Sequence, residues 1–469
     1  MTSVTSFGRP AIGGDTQPVS IARPKAAVDT GYRTGNPKIV MLFLCSLLVP
    51  IAIPIGVLDL QPHRIVLLAT MPYLAARLFA GQAGRMTAID HMVLASALWC
   101  LLAYLSDTDG DRAHSHLSAR VQFSFSWFVE MYGGYLIARV GIQNPDDVRR
   151  LAKFMFFSVL ACLPFAVIEA VTHRALFVEF LATTAAYDVR FGLRRAQIVF
   201  AHPILYGTFA STAMGLVWFM YRPQAAVGGR IFRAIFVFAA LFLSLSMGAI
   251  LSFVIQTGSI IYDHVLRSFP KRWTMLGLAV AGMYIFIEMF ANSSPFAIFV
   301  RYLTFNQTAS YVRLLVFEYG MDNIRAAPFF GFGSSRWLRP PGFPPSIDNF
   351  WLLIAMQFGV PAFLFLAVGV GIAVRRLAVK MLSDPLDLAC RSAVLVAMGG
   401  IIVAGATVHY WQGMLSFVMF MFGAGSWLLD RPDPQPVAED GEEPGADGQP
   451  ANTPAEPSKK RYVPYGREA

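Results

Sequence analysis

Between the apolar segments that close near 290 and reopen at 351 stand five arginines (Arg301, Arg313, Arg325, Arg336, Arg339), together with Glu318, Asp322 and Asp348. Lysine is absent from this stretch. A guanidinium is a planar fork that grips a phosphate or carboxylate through two parallel hydrogen bonds, whereas an ammonium is only a point charge. A second basic cluster, Arg190, Arg194 and Arg195, precedes His202-Pro203 and another apolar run. Three guanidiniums at a membrane mouth suit a diphosphate, or else they anchor the interface by snorkelling to lipid phosphates. His202 is either part of that site or a helix-packing residue. Asp348-Asn349 lies directly before the run that starts at Trp351. An aspartate at that boundary sheds part of its hydration, which suits it to accept a proton as a general base.

The elements that position these groups follow from periodicity. From Thr308 to Ala326 the pattern predicts an amphipathic helix, with Tyr311, Leu315, Glu318, Asp322 and Arg325 on one stripe at steps of three and four. Pro328 ends it, and Gly331 and Gly333 mark a tight turn. Such a helix either presents Arg313 and the acidic stripe to the mouth of a bundle or lies at the interface with its charges in water. Glu130, midway along an apolar run, is a functional candidate or a structural carboxyl bonded to a neighbouring helix. Glu169 and Glu288 lie near the outer ends of their runs and are placed at the same mouth. Asp107-Thr-Asp-Gly-Asp111 begins like a calcium loop, but Ser118 occupies the twelfth position where a bidentate glutamate belongs. His114 and His116 alone make a poor zinc site, so no metal is expected. Walker A, Rossmann and nucleophile-elbow patterns are missing, so no nucleotide or other cofactor is expected. Any chemistry must draw on a substrate that is already activated.

The composition sets the frame. With 55% hydrophobic and 14% charged residues in 469, and a mean hydropathy of +0.52, the chain is not a soluble globular protein. Apolar runs recur from Ile39 to Leu429, about twelve in all, each able to cross roughly 30 Å of hydrocarbon as a helix. The predicted fold is all-α and polytopic, with a large extracytoplasmic loop containing the amphipathic helix. All seven lysines (Lys25, Lys38, Lys153, Lys271, Lys380, Lys459, Lys460) fall on one side of that topology, which places both termini in the cytoplasm. Residues 1–37 and 430–469 are expected to be disordered cytoplasmic tails flanking a membrane domain at 38–429. The principal outer loops are 172–196 and 291–350. Cys45, Cys100, Cys162 and Cys390 fall in or at the ends of apolar runs, so no disulfide framework is implied. The net charge of +9 belongs to flanks and outer loops and gives no sign of nucleic-acid binding.

Together these residues resemble the O-antigen ligase/polymerase superfamily of bacterial membrane glycosyltransferases. The family pattern is an arginine starting a loop helix, a Pro-hydrophobic-hydrophobic-Gly-x-Gly turn, then His-Asn before a helix ending in glycine. Here it is matched by Arg313, Pro328-Phe329-Phe330-Gly331-Phe332-Gly333, Asp348-Asn349 and Phe358-Gly359. Two steps depart from it: the family's His-Asn is Asp348-Asn349, and its Ser-Arg-Gly is Ser246-Met247-Gly248. The aspartate is expected of an exopolysaccharide or O-unit polymerase relative.

The resemblance implies an enzyme of the bacterial inner membrane that uses an undecaprenyl-diphosphate-linked oligosaccharide at the periplasmic face. It would join repeat units into a polymer, with Asp348 and Arg313 catalytic. Arg190, Arg194, Arg195, His202, Arg301, Tyr311, Glu318, Arg336 and Asn349 would bind substrate. Membrane lipids, a repeat-unit flippase and a chain-length regulator are the expected partners. A ligase that moves finished glycan to lipid A core is the alternative, and a polysaccharide transporter or flippase a further one.

Overall fold

The chain forms an all-α polytopic membrane protein. In the computed structural model the described residues are 31–55, 58–107, 116–177, 188–266, 268–269, 271–290, 298, 307–333, 337–343 and 346–433. Arg301 and Arg336, residues 108–115 of the calcium-like segment, and most of both expected tails lie outside them. Among the described residues seven helices are long and apolar enough to cross a membrane. They are Ala88–Ser106, Pro145–Thr172, Pro203–Met220, Arg272–Phe290, Val360–Val379, Pro385–Ala404 and the segment Gly413–Asp430. Shorter or less apolar helices complete the bundle: Pro37–Ser46, Pro62–Phe79, Val227–Phe242 and Met247–Val265. Leu117–Phe128 passes through a π-helical turn, Val129–Gly133, into Gly134–Gly141. The only sheet among the described residues is two small antiparallel hairpins, Ile53–Ile55 with Leu58–Leu60 and Val189–Arg190 with Leu193–Arg194.

Pro203–Met220 is the central helix, packed against Pro145–Thr172, Val227–Phe242, Met247–Val265 and Pro385–Ala404. Lipid tails are as apolar as leucine, so helices in a membrane associate through close contact of small residues and through hydrogen bonds. Gly207 abuts Ser244 and Ala249, and Gly215 lies against the backbone of Ala393 and Ala397. Gln256 locks the neighbouring helix to it. Its amide donates to the Ser211 carbonyl at 2.8 Å and accepts from the Gly215 N–H at 3.0 Å.

The apolar run from 351 is not one helix: the structure breaks it at Gly359 into Phe350–Phe358 and Val360–Val379. Gly359 has φ +87, and a Cβ there would meet the Phe329 carbonyl. The Pro328–Gly333 turn fills the break. Phe332 and Gly333 N–H groups donate to the Met356 and Gln357 carbonyls at 3.0 Å each, and Val360 donates to the Pro328 carbonyl at 2.8 Å. Carbonyls that a helix end leaves without partners are thus satisfied by the loop. Trp99 adds a hydrogen bond to the Phe329 carbonyl at 3.0 Å and stacks on Phe330.

Gly359→Ala tests this joint. A side chain at positive φ against a carbonyl is expected to cost about 1–3 kcal/mol or more, read as a lower thermal midpoint of the purified protein. An unchanged midpoint would show that the break does not depend on glycine.

Candidate active site

The second basic cluster sits on a hairpin, and the hairpin sorts its arginines. Phe191 and Gly192 form its two-residue turn with φ +53 and +75, the backbone handedness that matches strand twist. Val189 pairs with Arg194 and Arg190 with Leu193. Residues directly opposite share a face and successive residues alternate. Arg190 and, by extension, Arg195 therefore lie on one face, with Arg194 on the other. Arg194 is buried and donates to the His173 carbonyl at 2.8 Å, so it braces a loop and does not reach the site.

Arg195 is the anchor. Its Nε donates to the Ser244 carbonyl at 3.0 Å and its Nη1 to Asp188 at 2.9 Å. Arg190 shares Asp188 at 3.2 Å and donates to the Leu245 carbonyl at 3.1 Å. The Ala196 N–H reaches the Leu243 carbonyl at 2.9 Å, so the hairpin is clamped to the turn after Val227–Phe242. Behind it the wholly buried Glu169 accepts the Gln197 and Ile198 N–H groups at 3.0 and 3.1 Å. That role is structural. Glu130 likewise binds inside the bundle, to Arg64 and His63, and Glu288 is exposed on Arg272–Phe290.

A cavity of about 380 Å³ collects the rest: Arg190, Arg195, His202, Arg313, Asp348 and Trp411 all line it. Ser246, Met247 and Gly248, the altered Ser-Arg-Gly step, form part of the same wall. Three helix N-termini converge here. His202 caps Pro203–Met220, Ser246 stands at the N-cap of Met247–Val265, and Asp348 immediately precedes the cap of Phe350–Phe358. Each helix start carries partial positive charge from unpaired N–H groups, so the backbone reinforces the arginines towards an anion.

Arg313 reaches the cavity from Gln307–Ala326, and its guanidinium makes no hydrogen bond among the described residues. Its donors are therefore available for a ligand. Burial pushes both Arg313 and Arg195 below the ordinary guanidinium range, with Arg190 opposing their charge and Asp348 supporting it. Asp348 accepts from the Ser346 hydroxyl at 2.7 Å. His202 Nδ1 accepts the Ile204 N–H at 3.2 Å, which leaves Nε2 as the N–H of the neutral ring. Burial and then Arg195 lower its pKa, so at neutral pH it is an uncharged donor.

Other expected residues do not reach the cavity. Tyr311 and Glu318 are exposed on the outer stripe of Gln307–Ala326, whereas Val316, Gly320 and Asn323 are buried on the inner one. The acidic stripe thus points away from the face that carries Arg313. Asn349 is buried, and its side-chain oxygen accepts the Leu352 N–H at 3.0 Å as a helix cap. Among the described residues no cluster of three or more His, Cys, Asp or Glu side chains could hold a metal.

The sequence reading missed the loop after Pro385–Ala404. The Phe350 N–H binds the Gly405 and Val408 carbonyls at 2.8 and 3.0 Å, bringing that loop against Asp348. Trp411 then packs between His202 and His409, with ring centroids 5.6 and 5.2 Å away. The signal was present as Thr407-Val-His-Tyr-Trp-Gln412, a polar and aromatic cluster between two apolar runs.

Residues 232–367 match the family model described as O-antigen ligase (Wzy_C). The matched stretch contains Ser246–Gly248, Arg313, the Pro328–Gly333 turn and Asp348, and it supports the O-antigen ligase/polymerase superfamily and a glycosyl-transfer type of enzyme in the membrane. Arg190, Arg195, His202 and Trp411 lie outside that stretch yet line the same cavity. No curated protein matches the chain.

His409 yields a pH test. Burial lowers its pKa from 6.5 to about 4, against the favourable field of Asp348. The folded state then resists protonation that the unfolded chain accepts. Stability is intact above the ordinary histidine value and is lost as pH falls through the window below it, by about 1.4 kcal/mol per unit. Thermal midpoints between pH 7 and 5 should fall less steeply for His409→Asn than for the wild type. Parallel slopes would contradict this assignment.

Proposed function

We propose that the protein polymerises undecaprenyl-diphosphate-linked oligosaccharide repeat units into an exopolysaccharide or O-antigen-like glycan at the outer face of the inner membrane. The observation that carries this reading is the single cavity in which Arg190, Arg195 and the unspent donors of Arg313 face Asp348. A hydroxyl of the acceptor unit attacks the anomeric carbon of the growing chain. The C–O bond to the lipid diphosphate breaks, and the hydroxyl's proton passes to the Asp348 carboxylate. Negative charge builds on the departing diphosphate, where arginines and helix N-termini stabilise it more in the transition state than in the ground state. The substrate's own phosphoester linkage supplies the driving force. The one-sided lysine distribution supports an orientation with the cavity outside and both termini in the cytoplasm.

A ligase reading is favoured by one finding, the description of the matched family model as O-antigen ligase. The two differ in what a deletion strain accumulates: unpolymerised units for a polymerase, full-length lipid-linked polymer for a ligase. Elongation by purified protein in detergent, with no sealed vesicle, would exclude transport as the primary role.

Replacing Arg313 with Gln or Asp348 with Asn should lower elongation by about 10²-fold or more, as loss of a transition-state contact does, while protein level and single repeat units persist. Polymer of normal length in both variants would sink the assignment.

A further inference from the structure

A second cavity of about 440 Å³ adjoins the first but has a different chemistry. Chain neighbours line the two: Ala201 precedes His202, Gln412 follows Trp411, and Gln197 lies two residues past Arg195. No Lys, Arg, Asp or Glu side chain is found among its described lining residues. Its polar side chains are Ser46, Gln61, Gln197, Gln412 and His63, set among Phe200 and Phe417. This volume falls within the roughly 300–1,000 Å³ of small-ligand pockets, whose few convergent polar groups set specificity.

Gln197 points most strongly to a ligand. It is 0% exposed, and neither its side-chain oxygen nor its nitrogen has a hydrogen-bond partner. Its backbone N–H is held by Glu169, so the residue is fixed in place while its amide stays unmatched. A buried amide left this way is costly unless a partner with both donor and acceptor groups arrives. A hydroxyl is such a partner. A polyprenyl tail offers nothing to it, and an anion finds no cation here.

His63 is the second such group. It is buried, with Nε2 3.3 Å from Glu130, whose carboxylate also takes the Arg64 Nε–H at 2.7 Å. The π-helical turn Val129–Gly133 carries Glu130 to this position. With Nε2 turned to the carboxylate, Nδ1 is the ring nitrogen left to meet a hydroxyl, which can donate to it or accept from it. A Cβ on the neighbouring lining residue Gly413 would stand 3.4 Å from Nδ1. The glycine keeps that space open.

We propose that this second cavity is a neutral-sugar subsite, in which Gln197 and His63 bind saccharide hydroxyls beside the diphosphate held in the first cavity. The inference rests on the function proposed above and deepens it. The saccharide belongs either to the acceptor unit or to the donor chain, both presenting the same hydroxyl chemistry.

The test uses the full-length purified protein and two probes, sugar-free undecaprenyl diphosphate and the lipid-free repeat oligosaccharide released from the producing strain. Gln197→Leu removes the unmatched amide at similar size, so its thermal midpoint should equal or exceed the wild type. It should weaken oligosaccharide binding at least tenfold and leave undecaprenyl diphosphate binding within twofold. Gln61→Ala, at the N-cap of Pro62–Phe79, should give the same split to a smaller extent. In elongation assays, a KM rise confined to the acceptor assigns the subsite to the acceptor, and one confined to the donor assigns it to the donor. Unchanged oligosaccharide binding in a folded Gln197→Leu protein overturns the subsite. If instead that binding is lost while Arg313→Gln leaves undecaprenyl diphosphate binding intact, the subsite stands and the diphosphate reading fails.

Discussion

Three guanidiniums around one small cavity repel each other, and most of the site's architecture serves to hold them there. Asp188 takes part of the charge of Arg190 and Arg195, and the Ser244 and Leu245 carbonyls take more. Those carbonyls belong to the turn before Met247–Val265, so the same contacts that neutralise the hairpin also place a helix N-terminus at the cavity. Arg313 has only the field of Asp348 and makes no such hydrogen bond among the described residues. The proposed diphosphate would therefore relieve repulsion as well as make bonds, where burial keeps screening low.

The supports behind this constraint come from widely separated parts of the chain. Glu169 fixes the turn after the hairpin, and Gln256 fixes the helix that follows it. The Pro328–Gly333 turn fills the break at Gly359 and so holds the short helix whose N-terminus follows Asp348. The family-like motifs are thus divided between two tasks. Arg313 and Asp348 face the cavity, whereas the Pro-Phe-Phe-Gly-Phe-Gly turn and Asn349 build the frame that positions them.

The fold class was legible because hydrocarbon imposes its length on every spanning helix. The arginines stood out because no lysine accompanies them between residues 291 and 350. Which arginines face the site was not legible, since Arg190 and Arg195 are separated from Arg194 only by hairpin register. A one-residue change in register would reverse that choice. Tyr311 and Glu318 were grouped correctly on one stripe, but a stripe does not say which face of a helix is covered, and here the apolar face with Arg313 is. Trp411 and His409 were hidden by a different effect. The loop that bears them is short and distant in sequence from Asp348, and the hydrogen bonds from the Phe350 N–H bring it there.

The central claim is that the arginine-lined cavity recognises a lipid-linked diphosphate. Its most direct test is the affinity of purified protein for undecaprenyl diphosphate, undecaprenyl monophosphate and undecaprenol. The account predicts that affinity falls in that order, and that Arg195→Gln and Arg313→Gln each remove the preference for diphosphate. Equal binding of undecaprenol and undecaprenyl diphosphate would contradict it.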